Sequence, residues 1–220
     1  MIYQVQLLKG LLHPNDFLYQ LEKAEEIRNY RIRIFLLFTA SLIIFTISSY
    51  LGIGTEIISR ELTSTAAGEF ETRKLLFLFG QILWGLIYPA IMLFIPAAFF
   101  WALSDIPFIK VLVIQMFAVS ILLLEKAFLI PINWKIGLDK SSSPFSLGPI
   151  AQYLTDSTLL IYFLGQLSVF SLLVLYIQYK GLKYLTDKTR GQIFSYVLLI
   201  NMLFWLVSSF LSFIKFEKLL

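Results

Sequence analysis

The stretch "LLLEKAFLIPIN", beginning at Leu122, sets Glu125 beside Lys126 inside a run that is otherwise uncharged from Val111 to Ile132. An ionisable group at membrane depth is a functional candidate by default, because leaving it there unpaired is costly. Hydrolytic chemistry would need a positioned acid–base pair or a metal. The only histidine is His13, just ahead of Pro14, and there is no cysteine. A zinc site of histidine and cysteine, a disulfide framework and thiol chemistry are therefore excluded. The sequence has no H-E-x-x-H, no G-x-S-x-G and no P-loop, so the motifs that carry the commonest hydrolytic and nucleotide chemistry are missing. Glu69 and Glu71 stand next to Arg73 and Lys74 and read as a solvated face. Beyond the Glu125–Lys126 pair, the residues that stand out are polar or helix-bending ones within apolar blocks: Gln81, Pro89, Pro96, Gln166 and Asn201. None implies a catalytic site, a metal or a cofactor, and the expectation is a protein that is not an enzyme.

The elements that must position these residues follow from composition. Of 220 residues, 58% are hydrophobic and 15% charged, against about 45–50% and 25% in soluble domains. The apolar excess falls in five blocks, Ile34–Ile53, Leu75–Leu103, Phe108–Ile132, Ser157–Tyr179 and Gln192–Ile214. Each approaches or exceeds the roughly 20 residues that a spanning helix needs. The expectation is an all-α integral membrane protein with five transmembrane helices and an N-terminal amphipathic surface helix. Residues 1–33 form the cytoplasmic segment, 34–214 the membrane domain and 215–220 a short outer tail. The first block starts too late and is too long for a cleaved signal peptide.

Charge sets the orientation. Lys9, Lys23, Arg28, Arg31, Arg33, Lys110, Lys180, Lys183, Lys188 and Arg190 fall on one side of the five spans. Arg60, Arg73, Lys74, Lys135, Lys140, Lys215 and Lys218 fall on the other. The positive-inside rule then places the N-terminus in the cytoplasm and the C-terminus outside a plasma membrane. A basic inner face suits anionic lipid headgroups, and nucleic acid is not an expected partner.

Within the cytoplasmic segment, Pro14, Asn15 and Asp16 read as a helix start, followed by an apolar stripe of Phe17, Leu18, Leu21 and Ala24 that suits the headgroup boundary. Span two carries Gln81, Gly85, Pro89, Met92 and Pro96 along one stripe. Proline removes a backbone donor, so the stripe reads as the bundle-facing side of a kinked helix. A discontinuous transport helix is the alternative. Thr39, Thr46 and Tyr50 in span one, Gly165, Ser168, Ser171 and Gln178 in span four, and Asn201, Ser208 and Ser212 in span five form similar stripes suited to helix packing. The loop after span three, with Pro144 and Pro149 among apolar residues, folds back onto the membrane surface and starts a short helix at Pro149. Glu125 lies 17 residues past Phe108, roughly 26 Å along a helix and so in the outer part of a ~30 Å core. There Lys126 reaches outer headgroups. Glu125 is either the other half of that interfacial pair or a buried carboxylate holding the serines near Ser141–Ser146.

Two resemblances bear on function. "EEIRNYR" at Glu25 resembles the paired glutamates and arginine of intramembrane CAAX-type proteases, but the arginine spacing differs and membrane histidines are missing. The five spans, the "LHPNDFLYQL" start and the segment "SSSPFSLGPIAQYLTDSTLLIYFLGQLSVFSLLVLYIQYKGLKYL" resemble the bacterial branch of the Yip family, five-span membrane proteins. That resemblance implies a non-enzymatic protein acting through other integral membrane proteins, an ABC-type exporter among the candidates. A small secondary transporter or channel is the alternative from a different class.

Overall fold

The computed structural model describes residues 1–54, 67–136 and 143–214. The Glu69 side chain, Arg60, Lys140, Ser141 and the tail at 215–220 lie outside the described residues. Proline at the first helical position starts an N-terminal helix where the sequence places it. Two strands, β1 (Ile2–Gln4) and β2 (Glu26–Arg28), pair in parallel with Tyr3 opposite Ile27. Between them run α1 (Leu7–Leu12) and α2 (Pro14–Glu22). Asn29 then turns the chain with φ 63°, a left-handed conformation that asparagine tolerates better than most residues. The strand pair has no counterpart in the hydropathy pattern, because each strand is only three residues long.

After Asn29 come α3 (Tyr30–Tyr50), α4 (Ala67–Leu103), α5 (Phe108–Ile136), α6 (Gly148–Leu154), α7 (Thr158–Gly165), α8 (Val169–Leu185) and α9 (Arg190–Ile214). The end of α3 is closed by Gly52 at φ 77°, with the Ile53 amide donating to the Ser48 carbonyl at 3.0 Å. Only glycine takes that φ without strain. The start of α9 is a capping box: the Thr189 amide donates to Gln192 Oε1 at 3.2 Å, and the Gln192 amide to Thr189 Oγ1 at 3.4 Å. Four helices, α3, α4 from Glu71, α5 and α9, are long and apolar enough to cross a membrane.

The expected fourth span is not one helix. It is interrupted at Gln166–Ser168 between α7 and α8, a break that hydropathy could not reveal because no proline marks it. Span two departs from its alternative in the opposite sense. Despite Pro89 and Pro96, α4 runs without interruption, and its expected stripe faces inward, with Gly85, Pro89 and Pro96 buried.

The chain forms two compact units. One gathers Met1–Thr39, Pro89–Leu122 and Phe170–Phe204. Its centre is the first half of α5, where Val111, Val113, Ile114, Gln115, Met116 and Phe117 are fully buried on every side. On α8, Ser171, Val174, Gln178 and Gly181 form one buried stripe, and a Cβ on Gly181 would sit 2.8 Å from the Ile114 side chain. The α2 stripe is buried here as well: Phe17 is 4% exposed, Leu18 and Leu21 are fully buried, and Ala24 is 5% exposed. The Phe17 ring stacks on Phe117 with centroids 4.1 Å apart. The stripe expected at the headgroups is thus protein core, since an aromatic and aliphatic ridge finds a closer-packed partner in α5 than in lipid. Lys110 Nζ donates to the Glu22 carbonyl at the end of α2 at 2.8 Å, and Arg33 Nε to the Val5 carbonyl at 2.9 Å.

The other unit gathers Ala40–Tyr88, Leu123–Val169 and Trp205–Leu220. Here α3 and α4 approach closely, a Cβ on Gly85 falling 3.0 Å from Leu42 Cα.

Candidate functional site

In the second of these units the break between α7 and α8 is filled by the preceding loop. The Leu147 amide donates to the Leu167 carbonyl and the Val169 amide to the Phe145 carbonyl, each at 3.0 Å, making an antiparallel bridge between Ser146 and Ser168. Backbone groups freed where a helix breaks need other partners when they are buried, and the loop supplies them. Its own shape is held by Ser146, whose hydroxyl donates to the Ser143 carbonyl at 3.0 Å and accepts from the Gly148 amide at 3.2 Å. At the first turn of α6, proline takes the position where its missing amide costs nothing. α6 and α7 follow as a pair of short helices starting and ending at this bridge.

Glu125 reaches the same point from α5. The Ser168 hydroxyl hydrogen-bonds its carboxyl. Ser168 also immediately precedes α8, so a carboxylate stands at the positive end of that helix, where negative charge is favoured. Lys126 turns the other way, as adjacent residues on a helix must. It is half-buried, with Nζ 4.7 Å from the Tyr88 ring centroid and 5.4 Å from that of Phe45. These rings lie 5.5 Å apart, and Trp84 lies 6.4 Å from Tyr88. A cation over such faces gains roughly 0.5–2 kcal/mol, more as it is desolvated. The two charges therefore hold different neighbours: Glu125 the break, Lys126 the α3–α4 contact.

A second polar cluster lies in the unit built around the first half of α5. Gln178 Nε2 donates to Gln115 Oε1 at 2.9 Å, and Asn201 Nδ2 donates to Gln178 Oε1 at 2.6 Å and to the Val197 carbonyl at 2.8 Å. All three amides are at least nine-tenths buried, and they join α5, α8 and α9. Gln115 Nε2 is left without a partner.

Of the residues singled out in the sequence, Glu125 and Lys126 fall in the first cluster and Gln166 at the break itself, its carbonyl accepting from the Ser168 amide at 3.0 Å. Asn201 falls in the second. Gln81 is half-buried on the face of α4 that carries Tyr88, two turns away and so outside the cluster at about 10 Å. Pro89 and Pro96 are packing residues of α4. The sequence reading passed over Gln115, whose signal was available: it is one of two polar residues between Val111 and Leu124. Tyr88 and Phe45 carried no such signal among so many aromatic residues. Among the described residues no group of three or more histidine, cysteine, aspartate or glutamate side chains is placed to hold a metal ion. Comparison with protein-family models, with curated proteins and with solved structures found no match for this chain.

Proposed function

We propose that the chain is a non-enzymatic multi-pass membrane protein, of the kind the Yip family represents, that serves as an accessory, partner-binding component of a membrane transport or export complex. The observation that carries this reading is that the amide side chains of one cluster bond one another and the ionisable side chains of the other engage neighbouring elements of the protein. Gln115, Gln178 and Asn201 form one chain of bonds, and Glu125, Ser168 and Lys126 are engaged with neighbouring elements. A solute path needs such groups turned to a hydrated lumen. By contrast, α4, α8 and α9 present ridges of exposed apolar residues, among them Leu83, Ile87, Leu172, Leu203 and Phe210, suited to lipid or to another protein's spans. In this reading α7 and α8 together make a fifth crossing of a bacterial plasma membrane, with the N-terminus cytoplasmic and the C-terminus outside. The partners are other integral membrane proteins, an ABC-type exporter among the candidates, and anionic headgroups at the basic face.

The alternative, a small secondary transporter or channel, is favoured by one observation, the interrupted helix beside an ionisable residue, which is how many transporters build a site. Purification in mild detergent from the native host, paired with flux measurements on the purified protein in liposomes, separates the two. The accessory reading expects a membrane partner at fixed stoichiometry and flux no greater than in empty liposomes. Flux that disappears in Glu125→Leu would establish the transporter instead.

A further inference from the structure

The N-terminal module of β1, α1, α2 and β2 holds a cleft of about 80 Å³ that the functional reading does not use. A water needs about 10–15 Å³ of such space, so the cleft has room for several waters or one small molecule. Its walls follow from helical spacing. Gln6, Lys9 and His13 recur at three and four residues through α1 and its flanks, and His13, Asp16 and Gln20 do so along α2. Each set shares one face of its helix, and the two faces meet at the cleft. The floor includes Gly10 and Phe17, both of which also press on Phe117. Tyr3 of β1 completes it and is only 4% exposed. The Tyr3 hydroxyl makes no hydrogen bond among the described residues, although a buried phenol ordinarily finds a partner. Burial pushes its pKa up to about 12, so it stays a neutral donor.

The charges at the rim select the ligand. Lys9 comes from α1 and Asp16 from α2, and both line the cleft. Among the described residues neither forms an ion pair, with the other or with any further group. A cleft that presents both signs separately matches a ligand that carries both. We propose that this cleft binds a small α-amino acid as its zwitterion, with the carboxylate accepting from Lys9 and the Tyr3 hydroxyl and the ammonium donating to Asp16. His13 and the Gln20 amide supply further polar contacts at the rim. A divalent cation fits less well, because no third carboxylate or imidazole joins His13 and Asp16 and the Lys9 ammonium repels it. A simple anion leaves Asp16 facing it. Because Gly10 and Phe17 touch both the cleft and Phe117, an occupant braces the packing of the module on α5. The inference does not rest on the accessory role proposed above.

The test is equilibrium dialysis of the full-length protein in mild detergent against labelled glycine and labelled L-serine. Saturable binding of a single molecule per chain is expected for both. Acetate and methylammonium, each carrying one half of the charge pattern, are expected to compete at least about ten-fold less well than glycine, since a hydrogen bond to a charged group is worth roughly that factor. Tyr3→Phe, Lys9→Gln and Asp16→Asn are each expected to weaken binding by about the same factor. Tyr3→Phe removes a hydroxyl with no partner in the protein, so it should leave thermal unfolding without ligand unchanged. Absence of saturable binding of either amino acid overturns the inference, and so does binding that survives all three substitutions. Phosphate or acetate competing as well as glycine also overturns it, by marking a plain anion site. None of these outcomes bears on the accessory reading, which partner capture and flux decide.

Discussion

Glu125 accepts from Ser168 and balances the charge of Lys126, and substitutions separate these roles. Glu125→Gln keeps an oxygen for Ser168, whereas Glu125→Leu leaves a buried hydroxyl without an acceptor and Lys126 without a counter-charge. A lost bond of this kind costs about 1 kcal/mol within a helical bundle, and a half-buried cation deprived of its counter-charge about as much again or more. Glu125→Leu is therefore expected to lower stability, measured by reversible unfolding in mixed micelles, by about 2–3 kcal/mol, with Glu125→Gln about half as costly. The double variant Glu125→Leu, Lys126→Met recovers part of the loss, because it removes the half-buried cation together with its counter-charge. Equal stability of all three variants would place both residues in solvent. Limited proteolysis between Ser143 and Leu147 adds a local readout, and cleavage is expected to rise in Glu125→Leu only.

At the scale of elements, the N-terminal module is expected to fold as part of the bundle. Leu18→Glu or Leu21→Glu would bury a carboxylate at a position with no exposure at all, so membrane-inserted protein is expected to vanish, as read by yield after detergent extraction. Normal yield would mean that the stripe faces water or headgroups. Gly10→Ala is a gentler probe. Alanine gains up to about 1 kcal/mol in helix propensity, but its methyl meets a fully buried Phe117 ring that cannot move aside, a strain of about 1–3 kcal/mol. The clash wins, and net destabilisation is the expected outcome. The start of α2 at Pro14, the stripe on α4 and the helix at Pro149 were all legible in the sequence, because proline and apolar periodicity act locally. The α7–α8 break was not. "LGQLSV" from Leu164 contains nothing that forbids helix, and the interruption exists only because Phe145 and Leu147, about 20 residues earlier in the chain, offer the backbone other partners. For the same reason the α2 stripe could be recognised as amphipathic, while its partner, Phe117 rather than lipid, could not.

At the scale of the whole molecule, the question is how many times the chain crosses. α8 has 17 residues, about 26 Å of helix, close to a ~30 Å hydrocarbon core. Lys180, Lys183, Lys188 and Arg190 cluster at its far end and the turn that follows. The short α6–α7 pair at its near end carries no basic residue and exposes Ile150, Tyr153 and Leu154. That asymmetry is what positive-inside topology produces across a membrane, so α8 with the α6–α7 pair should behave as one crossing even though its helix is broken. Single cysteines at Ser157, in the α6–α7 turn, and at Thr189, before α9, test this in intact cells with an impermeant thiol reagent. Ser157→Cys is expected to label and Thr189→Cys to label only after the cells are opened. Labelling of both without opening would put the two ends of α8 on one side and reduce the crossings to four. Labelling of Thr189→Cys alone would keep five crossings and reverse the orientation. In that case the basic face would have to meet the outer leaflet instead.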